Sequence, residues 1–183
     1  MRTSASHPLQ IATVVSGMPG VGRVGITFCP GKYDPHGMSG AWNRDLVLDL
    51  DTIRGWGATA VVTLLEPHEL TMLRVERLGE EVLRRNMLWF HLPIVDVSIP
   101  NEGFEREWDT AGAKLRSILR GGSDVVVHCR GGLGRAGTIA ARLLIEFGVE
   151  PVTAIAKVRA VRPGAIETHA QERYVLGIGE ARK

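Results

Sequence analysis

The chain has only two cysteines, Cys29 and Cys129, in 183 residues, and neither lies in a CxxC pair or beside histidines at metal-ligand spacing. A disulfide framework and a zinc cluster are therefore excluded as organising elements. No internal repeat or low-complexity segment is present, and no apolar run reaches membrane-spanning length. Met1 to Pro8 also lacks the apolar core of a secretory signal. Charge of one sign is missing as well: 22 basic against 20 acidic residues leave +2, which argues for neither a nucleic-acid surface nor a membrane surface. The expectation from these absences is a cytoplasmic, reducing setting.

What is present is ordinary globular material, 44% hydrophobic and 23% charged, in a length that suits one domain. Residues 1–8 read as a polar tail and 9–183 as that domain. Within it, Val125-Val126-Val127 reads as a buried strand, and the glycines at 131, 132 and 134 force a tight loop. Ile139, Leu143, Leu144 and Phe147 then mark one face of a helix. Cys129 is thus placed at a strand end, in a loop that feeds a helix N-terminus.

That position selects a chemistry. The first turn of a helix leaves N–H groups unpaired and partly positive, and flanking glycines let several of them converge on an anion. Arg130, Gly131, Gly132, Leu133 and Gly134 are the expected phosphate-binding residues, and Arg135 adds a planar fork that grips two oxygens of one phosphate. Helix N-termini and adjacent cations bring a thiol from ~8.5 to roughly 3.5–7.5, so a cysteine here suits a nucleophilic thiolate. His128 either assists through its hydrogen bonds or packs beneath the loop. Loop N–H groups and Arg135 supply the positive field themselves, so neither a metal nor another cofactor is expected.

Along the chain, Ile11 to Val15 and Val24 to Phe28 read as strands, with two decoys between them. Gly20, Gly22 and Gly25 spell GxGxxG, but strand-like Ile26-Thr27-Phe28 follows where a dinucleotide fold needs a helix. Gly17 and Gly22 have the glycine spacing of a nucleotide-binding loop, yet Arg23-Val24 replaces its Lys-Ser/Thr. A hairpin turn is the reading adopted. Residues 29–37 read as loop, 42–56 as a helix, 59–65 as a core strand, and 66–70 and 75–85 as helices. Met87 to Val95 reads as a strand that delivers Asp96 into a loop, followed by helices over 104–119, 152–161 and 168–176. Strands alternating with helices predict an α/β fold, a central, mostly parallel sheet flanked by helices, with the cysteine loop at the carboxyl edge of a middle strand.

A thiolate displaces phosphate efficiently only when the departing oxygen is protonated, and a positioned carboxylic acid contributes roughly 10²–10⁴-fold. Asp96 is the candidate from its loop position, with Glu102 and Asp109 as fallbacks and turn formation as its alternative role.

His-Cys, five residues and Arg resembles the active loop of the cysteine-dependent protein tyrosine and dual-specificity phosphatases. Phe90 to Asp96, the Cys129 loop and Arg162 to Thr168 with Gln171 and Tyr174 are together most similar to the cyclin-dependent-kinase-associated phosphatase family. The resemblance implies that Cys129 is the nucleophile, Arg135 the phosphoryl clamp and Asp96 general acid and then base. It implies that Gln171 orients the hydrolytic water and that Glu167 contacts substrate, with helix-surface roles as the alternatives. The implied substrate is phosphotyrosine, and phosphoserine or phosphothreonine besides, in proteins; a kinase partner comes from resemblance alone. Ala136 departs from the pattern, because that family places Ser or Thr there to stabilise the departing thiolate. Thr138 is the nearest substitute, but on a helix it points about 200° away.

Three other readings stay open. A phosphoinositide or small-molecule phosphatase shares the chemistry, although the loop holds no cation beyond Arg130 between Cys129 and Arg135. A phosphoprotein-binding module with low turnover is favoured by Ala136. A thiol redox protein would pair Cys29 with Cys129.

Overall fold

The computed structural model describes residues 1–37 and 40–180. Ala12–Val14 (β1) and Val24–Phe28 (β2) run antiparallel with Ala12 opposite Ile26, so the glycine-rich connection between them is a hairpin. Tyr33–Asp34 (β3) and Trp42–Asn43 (β4) form a short antiparallel ladder inside what the sequence presented as loop and helix. The helix itself, Leu46–Trp56 (α1), starts later than its periodicity suggested because the Asp45 carboxylate caps it, accepting from the Leu48 N–H at 3.0 Å.

Ala58–Thr63 (β5), Pro67–Met72 (α2), Leu78–Arg84 (α3), Leu88–His91 (β6) and Glu102–Arg120 (α4) follow. Asp124–Cys129 (β7), Gly134–Glu146 (α5), Pro151–Val161 (α6) and His169–Glu180 (α7) complete the described chain. β6 is shorter than the apolar run from Met87 to Val95 because Pro93 has no N–H for the ladder, although the N–H groups of Leu92 and Ile94 still donate to Thr63 and Leu64.

The main sheet has the order β1-β2-β7-β5-β6, parallel except for β1. Alternation divides its side chains. Val125, Val127, Ala60 and Val62 join the cluster under α4, α5, α6 and α7, while Val126 and Val61 join the cluster under α1, α2 and α3. Both faces are covered, which is why β5 and β7 read as continuous apolar runs. The expected α/β architecture is the observed one.

Residues 1–8 are docked to this body. The Arg2 N–H donates to Ala41 and its carbonyl accepts from Asn43, while buried Arg44 donates to the His7 carbonyl at 2.8 Å. These ties run through backbone to partners far along the chain, so a short polar stretch carries no periodic sign of them. At the other end, 181–183 of the expected domain lie outside the described residues.

Arg44 and Asp49 pair bidentately, both contacts 2.7 Å, and Asp49 also accepts from the Gly31 N–H at 2.9 Å. Gly31 has φ 72, and a Cβ there would sit 2.6 Å from that of Leu46, so the turn takes glycine. Removing one partner of such a buried pair strands the other charge. Asp49→Ala is expected to lower the free energy of urea unfolding by roughly 3–5 kcal/mol; a loss within measurement error would show that the pair does not anchor the N-terminal segment.

Candidate active site

β7, flanked by β2 and β5, delivers Cys129 to the carboxyl edge of the sheet, and α5 begins at Gly134 as expected. The loop between them is shaped from outside. Lys32 Nζ donates to the Arg130 carbonyl at 3.2 Å, and Arg162 donates to the carbonyls of Gly131 at 3.0 Å and Gly132 at 2.9 Å. A trans peptide points its N–H opposite to its C=O, so these two cations turn the N–H groups of Gly131, Gly132 and Leu133 away from themselves. Among the described residues none of the three N–H groups has an intramolecular partner. Gly132 has φ 67, and a Cβ there would lie 2.5 Å from the backbone of Thr27 and Phe28, so the loop could not seat on β2 with a larger residue.

Lys32 is 3% exposed, with its ammonium 5.1 Å from the Phe28 ring centre and 5.2 Å from that of Trp42. Burial pushes its pKa below the usual lysine value, an effect opposed by Cys29 and Asp34. Arg130 turns its side chain onto Asp34, with contacts of 3.1 and 3.0 Å, so its charge is already matched and only its backbone belongs to the loop.

Arg135 is buried and fixed. Its Nη1 and Nη2 donate to the two oxygens of Glu69 at 2.6 and 2.8 Å, and Nη1 also reaches the Ile94 carbonyl at 3.0 Å. Nη2 further pairs with Asp96 Oδ1 at 2.8 Å. Burial opposes the charge, but the Glu69 hydrogen bonds and the fields of Cys129 and Asp96 push the Arg135 pKa above its ordinary value. Burial likewise works to raise Glu69, and the bonds from Arg135 and the Glu66 N–H overcome it and hold the carboxyl low. The clamp is a permanent cation aimed by a permanent anion.

Asp96 is half-exposed on its loop and meets the clamp directly. The next residue, Val97, has φ 60, an unfavourable conformation for a β-branched side chain. Fully buried Gln171 donates from Nε2 to the Ser98 carbonyl at 3.2 Å and accepts from the Thr168 N–H, tying the start of α7 to the Asp96 loop. Glu167 accepts from the Gly134 N–H at 2.7 Å. The structure therefore gathers Cys129, Arg135, Asp96, Glu167 and Gln171 around one loop. Glu102 and Asp109, the fallback acids, are exposed on α4.

Two expected supporting residues serve the frame instead. Thr138 donates its one hydroxyl proton to the Gly134 carbonyl at 2.8 Å, so it has none to give the sulfur. His128 is fully buried, with Nε2 2.8 Å from the Thr63 hydroxyl, which also accepts from Trp89. Burial pushes the His128 pKa down to about 3, and the backbone of Cys129 opposes this only in part. Both cysteines are free, and Cys29 belongs to the apolar cluster on the opposite face from Cys129. Burial raises the Cys29 thiol above its usual pKa, which keeps it protonated. Cys129 is 3% exposed, so a reacting group would have to enter the loop to reach its sulfur.

Glu69, Lys32, Asp34 and Arg162 were not singled out from the sequence for these roles. Glu69 alone left a local sign: it is the third residue of a proline-started helix, directly after a core strand, and its side chain accepts from the Glu66 N–H at 2.8 Å.

A family model described as "Swiss Army Knife protein, DSP-PTPase phosphatase domain" matches residues 36–175. Cyclin-dependent kinase inhibitor 3 of Rattus norvegicus is 30% identical over 135 residues, 72% of this chain and 62% of that protein. The chain thus spans less than two thirds of the length of these curated relatives. Protein tyrosine phosphatase type IVA 3 of Homo sapiens is 33% identical over 127 residues, covering 69% of this chain and 68% of that protein. The crystal structure of kinase associated phosphatase with its catalytic cysteine changed to serine shares the fold, with a TM-score of 0.81 at 23% identity over 95% of this chain and 96% of that one. Tk-PTP in its active form superposes at a TM-score of 0.68 with 28% identity, over 94% and 98% of the two chains.

An imidazole that is neutral when folded down to about pH 3, and takes a proton near 6.5 when unfolded, adds stability that is complete above 6.5 and lost as the pH falls toward 3. In urea unfolding between pH 6 and 4, the native chain is expected to lose up to ~1.4 kcal/mol per pH unit more than His128→Asn. Parallel curves for the two proteins would mean that His128 is not held neutral.

Proposed function

The chain belongs to the DSP-PTPase phosphatase domain family, and from that premise we propose that it hydrolyses phosphomonoesters on proteins through a phosphocysteine on Cys129. The observation that carries the reading is the loop whose carbonyls are drawn outward by Lys32 and Arg162 beside a clamp aimed by Glu69. Three N–H groups without protein partners, in the loop between Cys129 and a buried guanidinium, supply the donors and the charge that an anion needs.

In the proposed sequence the phosphoryl group enters the loop and takes Arg135 Nη2 from Asp96. The Cys129 thiolate attacks phosphorus in line, the bond to the leaving oxygen breaks, and Asp96 gives that oxygen its proton. In the second step water attacks phosphorus, Asp96 takes its proton, and the sulfur leaves as thiolate. Gln171, anchored beside the Asp96 loop, orients that water.

Phosphotyrosine in a protein is the leading substrate, with phosphoserine and phosphothreonine as further ones. Val95, Val97 and Ile99, exposed in the same stretch of chain as Asp96, offer apolar surface suited to an aromatic leaving group. A polyphosphorylated head group is disfavoured because Asp34 already holds the loop's extra arginine, Arg130. Cyclin-dependent kinase inhibitor 3 is named for a kinase, so a phosphorylated kinase is one protein substrate to try. A reducing, cytoplasmic setting suits a free nucleophilic thiol; among the described residues no helix is long and apolar enough to cross a membrane.

A second reading, a phosphoprotein-binding module, is favoured by Ala136 together with Thr138, whose proton is spent on Gly134. Neither residue offers the departing thiolate a hydrogen bond, so breakdown of the intermediate is slow in either case. With a phosphotyrosine peptide, Cys129→Ser is expected to abolish hydrolysis and Asp96→Asn to lower kcat by roughly 10²–10⁴-fold. A native protein as inactive as Cys129→Ser, both binding the peptide, would give the decision to the binding module. Rapid mixing with p-nitrophenyl phosphate should show a burst of one equivalent, and Ala136→Ser should raise steady-state turnover about tenfold through a hydrogen bond to the leaving sulfur. No burst and no gain would place the slow step elsewhere.

A further inference from the structure

Glu167 occupies the N–H of Gly134, one of the loop groups expected to hold a substrate oxygen. Its carboxylate accepts from the N–H of Gly134, the first residue of α5, at 2.7 Å, and a Cβ on Gly134 would sit 2.3 Å from the same oxygen. No side chain from the preceding loop caps α5, so this carboxylate does so from a distant part of the chain. We propose that Glu167 is an internal competitor for phosphate: in the resting protein its carboxylate holds a loop N–H that a phosphoryl oxygen must take, so an anion binds only by displacing it. The inference rests on the phosphatase reading of the loop and adds a residue that limits its affinity.

Two further observations support it. The backbone is forced to present Glu167: the preceding residue, Ile166, is β-branched at φ 58. Arg159 holds that turn, donating to the carbonyls of Ala165 at 3.2 Å and Ile166 at 3.0 Å while pairing with Glu172 at 3.1 Å. The other positive group of the site is occupied in the same manner, since Asp96 holds Arg135 Nη2. Both carboxylates belong to exposed residues, so each has room to swing out when a dianion enters.

The consequence is a threshold. A phosphorylated protein, with contacts beyond the loop, binds strongly enough to displace Glu167, while inorganic phosphate has only what the loop and Arg135 supply. Free phosphate is therefore a weak product inhibitor. Replacing the carboxylate by an amide of the same length keeps an acceptor for the Gly134 N–H but removes the charge that repels the incoming anion.

The test measures inorganic phosphate against native protein and Glu167→Gln, by titration calorimetry and as the competitive Ki in hydrolysis of a phosphotyrosine peptide, with thermal melts to confirm equal folding. Expected is phosphate binding about tenfold tighter for Glu167→Gln, the worth of one charge-assisted hydrogen bond. In nitrogen–proton NMR spectra the unliganded Gly134 amide should move upfield on the same substitution, a readout that does not depend on activity. Equal affinities, or a Gly134 amide that does not move, would overturn the proposal. Tighter phosphate binding by the variant of a protein that hydrolyses nothing would support it while removing the enzymatic reading.

Discussion

The buried pair between Arg135 and Glu69 is the contact on which the site depends. Arg135 is the second residue of α5, Glu69 lies in α2, and Nη1 also reaches the carbonyl of Ile94, just before the Asp96 loop. One guanidinium therefore fixes three segments that the chain supplies separately from the carboxyl ends of β5, β6 and β7. Such a pair is expensive to bury, and its formation leaves Arg135 charged, oriented and with only part of its fork committed. Nη2, shared with Asp96, is the part that a phosphoryl group claims in the proposed reaction.

A second tier of charges shapes the backbone. Lys32 and Arg162 hold the loop carbonyls of residues 130–132, and Asp34 removes Arg130 from the anion's space. The loop would otherwise be free to present carbonyl oxygens to a phosphate, which would repel it. Glycine alone makes the curve accessible; cations outside the curve decide which way its peptides face. The buried and lowered Lys32, between Phe28 and Trp42, belongs to this frame.

This division explains what the sequence could disclose. Cys129, the glycines and Arg135 are contiguous, so strand, turn and helix signals coincide and the loop is legible by itself. Asp96 was legible because an apolar strand ends just before it. Glu69, Lys32 and Asp34 were not: their partners lie 66, 98 and 96 residues away, and a charged residue in a loop or a first helical turn has many ordinary reasons to be there. The ladder of β3 with β4, which replaced the start of the expected helix, depends likewise on a pairing that periodicity within one segment does not encode. Glu167 was picked out through resemblance, but its contact with Gly134 depends on the unfavourable backbone at Ile166, and no residue preference announces such a conformation.

Among the described residues two β-branched ones have positive φ, Val97 and Ile166, and each precedes or follows a carboxylate gathered at the loop. Each conformation costs about 1–3 kcal/mol and persists only where surrounding contacts over-determine it. For Ile166 the contacts are those of Arg159; for Val97 they are the Asp96 carboxylate accepting from the Val97 N–H at 3.0 Å and the Gln171 bond to Ser98. The Asp96 carboxylate thus serves two partners at once, its own turn and Arg135. In the proposed reaction an anion that takes Arg135 removes the second partner and leaves the first, so Asp96 loses its cation without losing its turn. Gln171, reaching Ser98 from α7, ties the loop at a second point that does not involve the carboxylate. The position of the Asp96 carboxylate is in this way separated from its charge partner, which suits the acid and base role proposed for it.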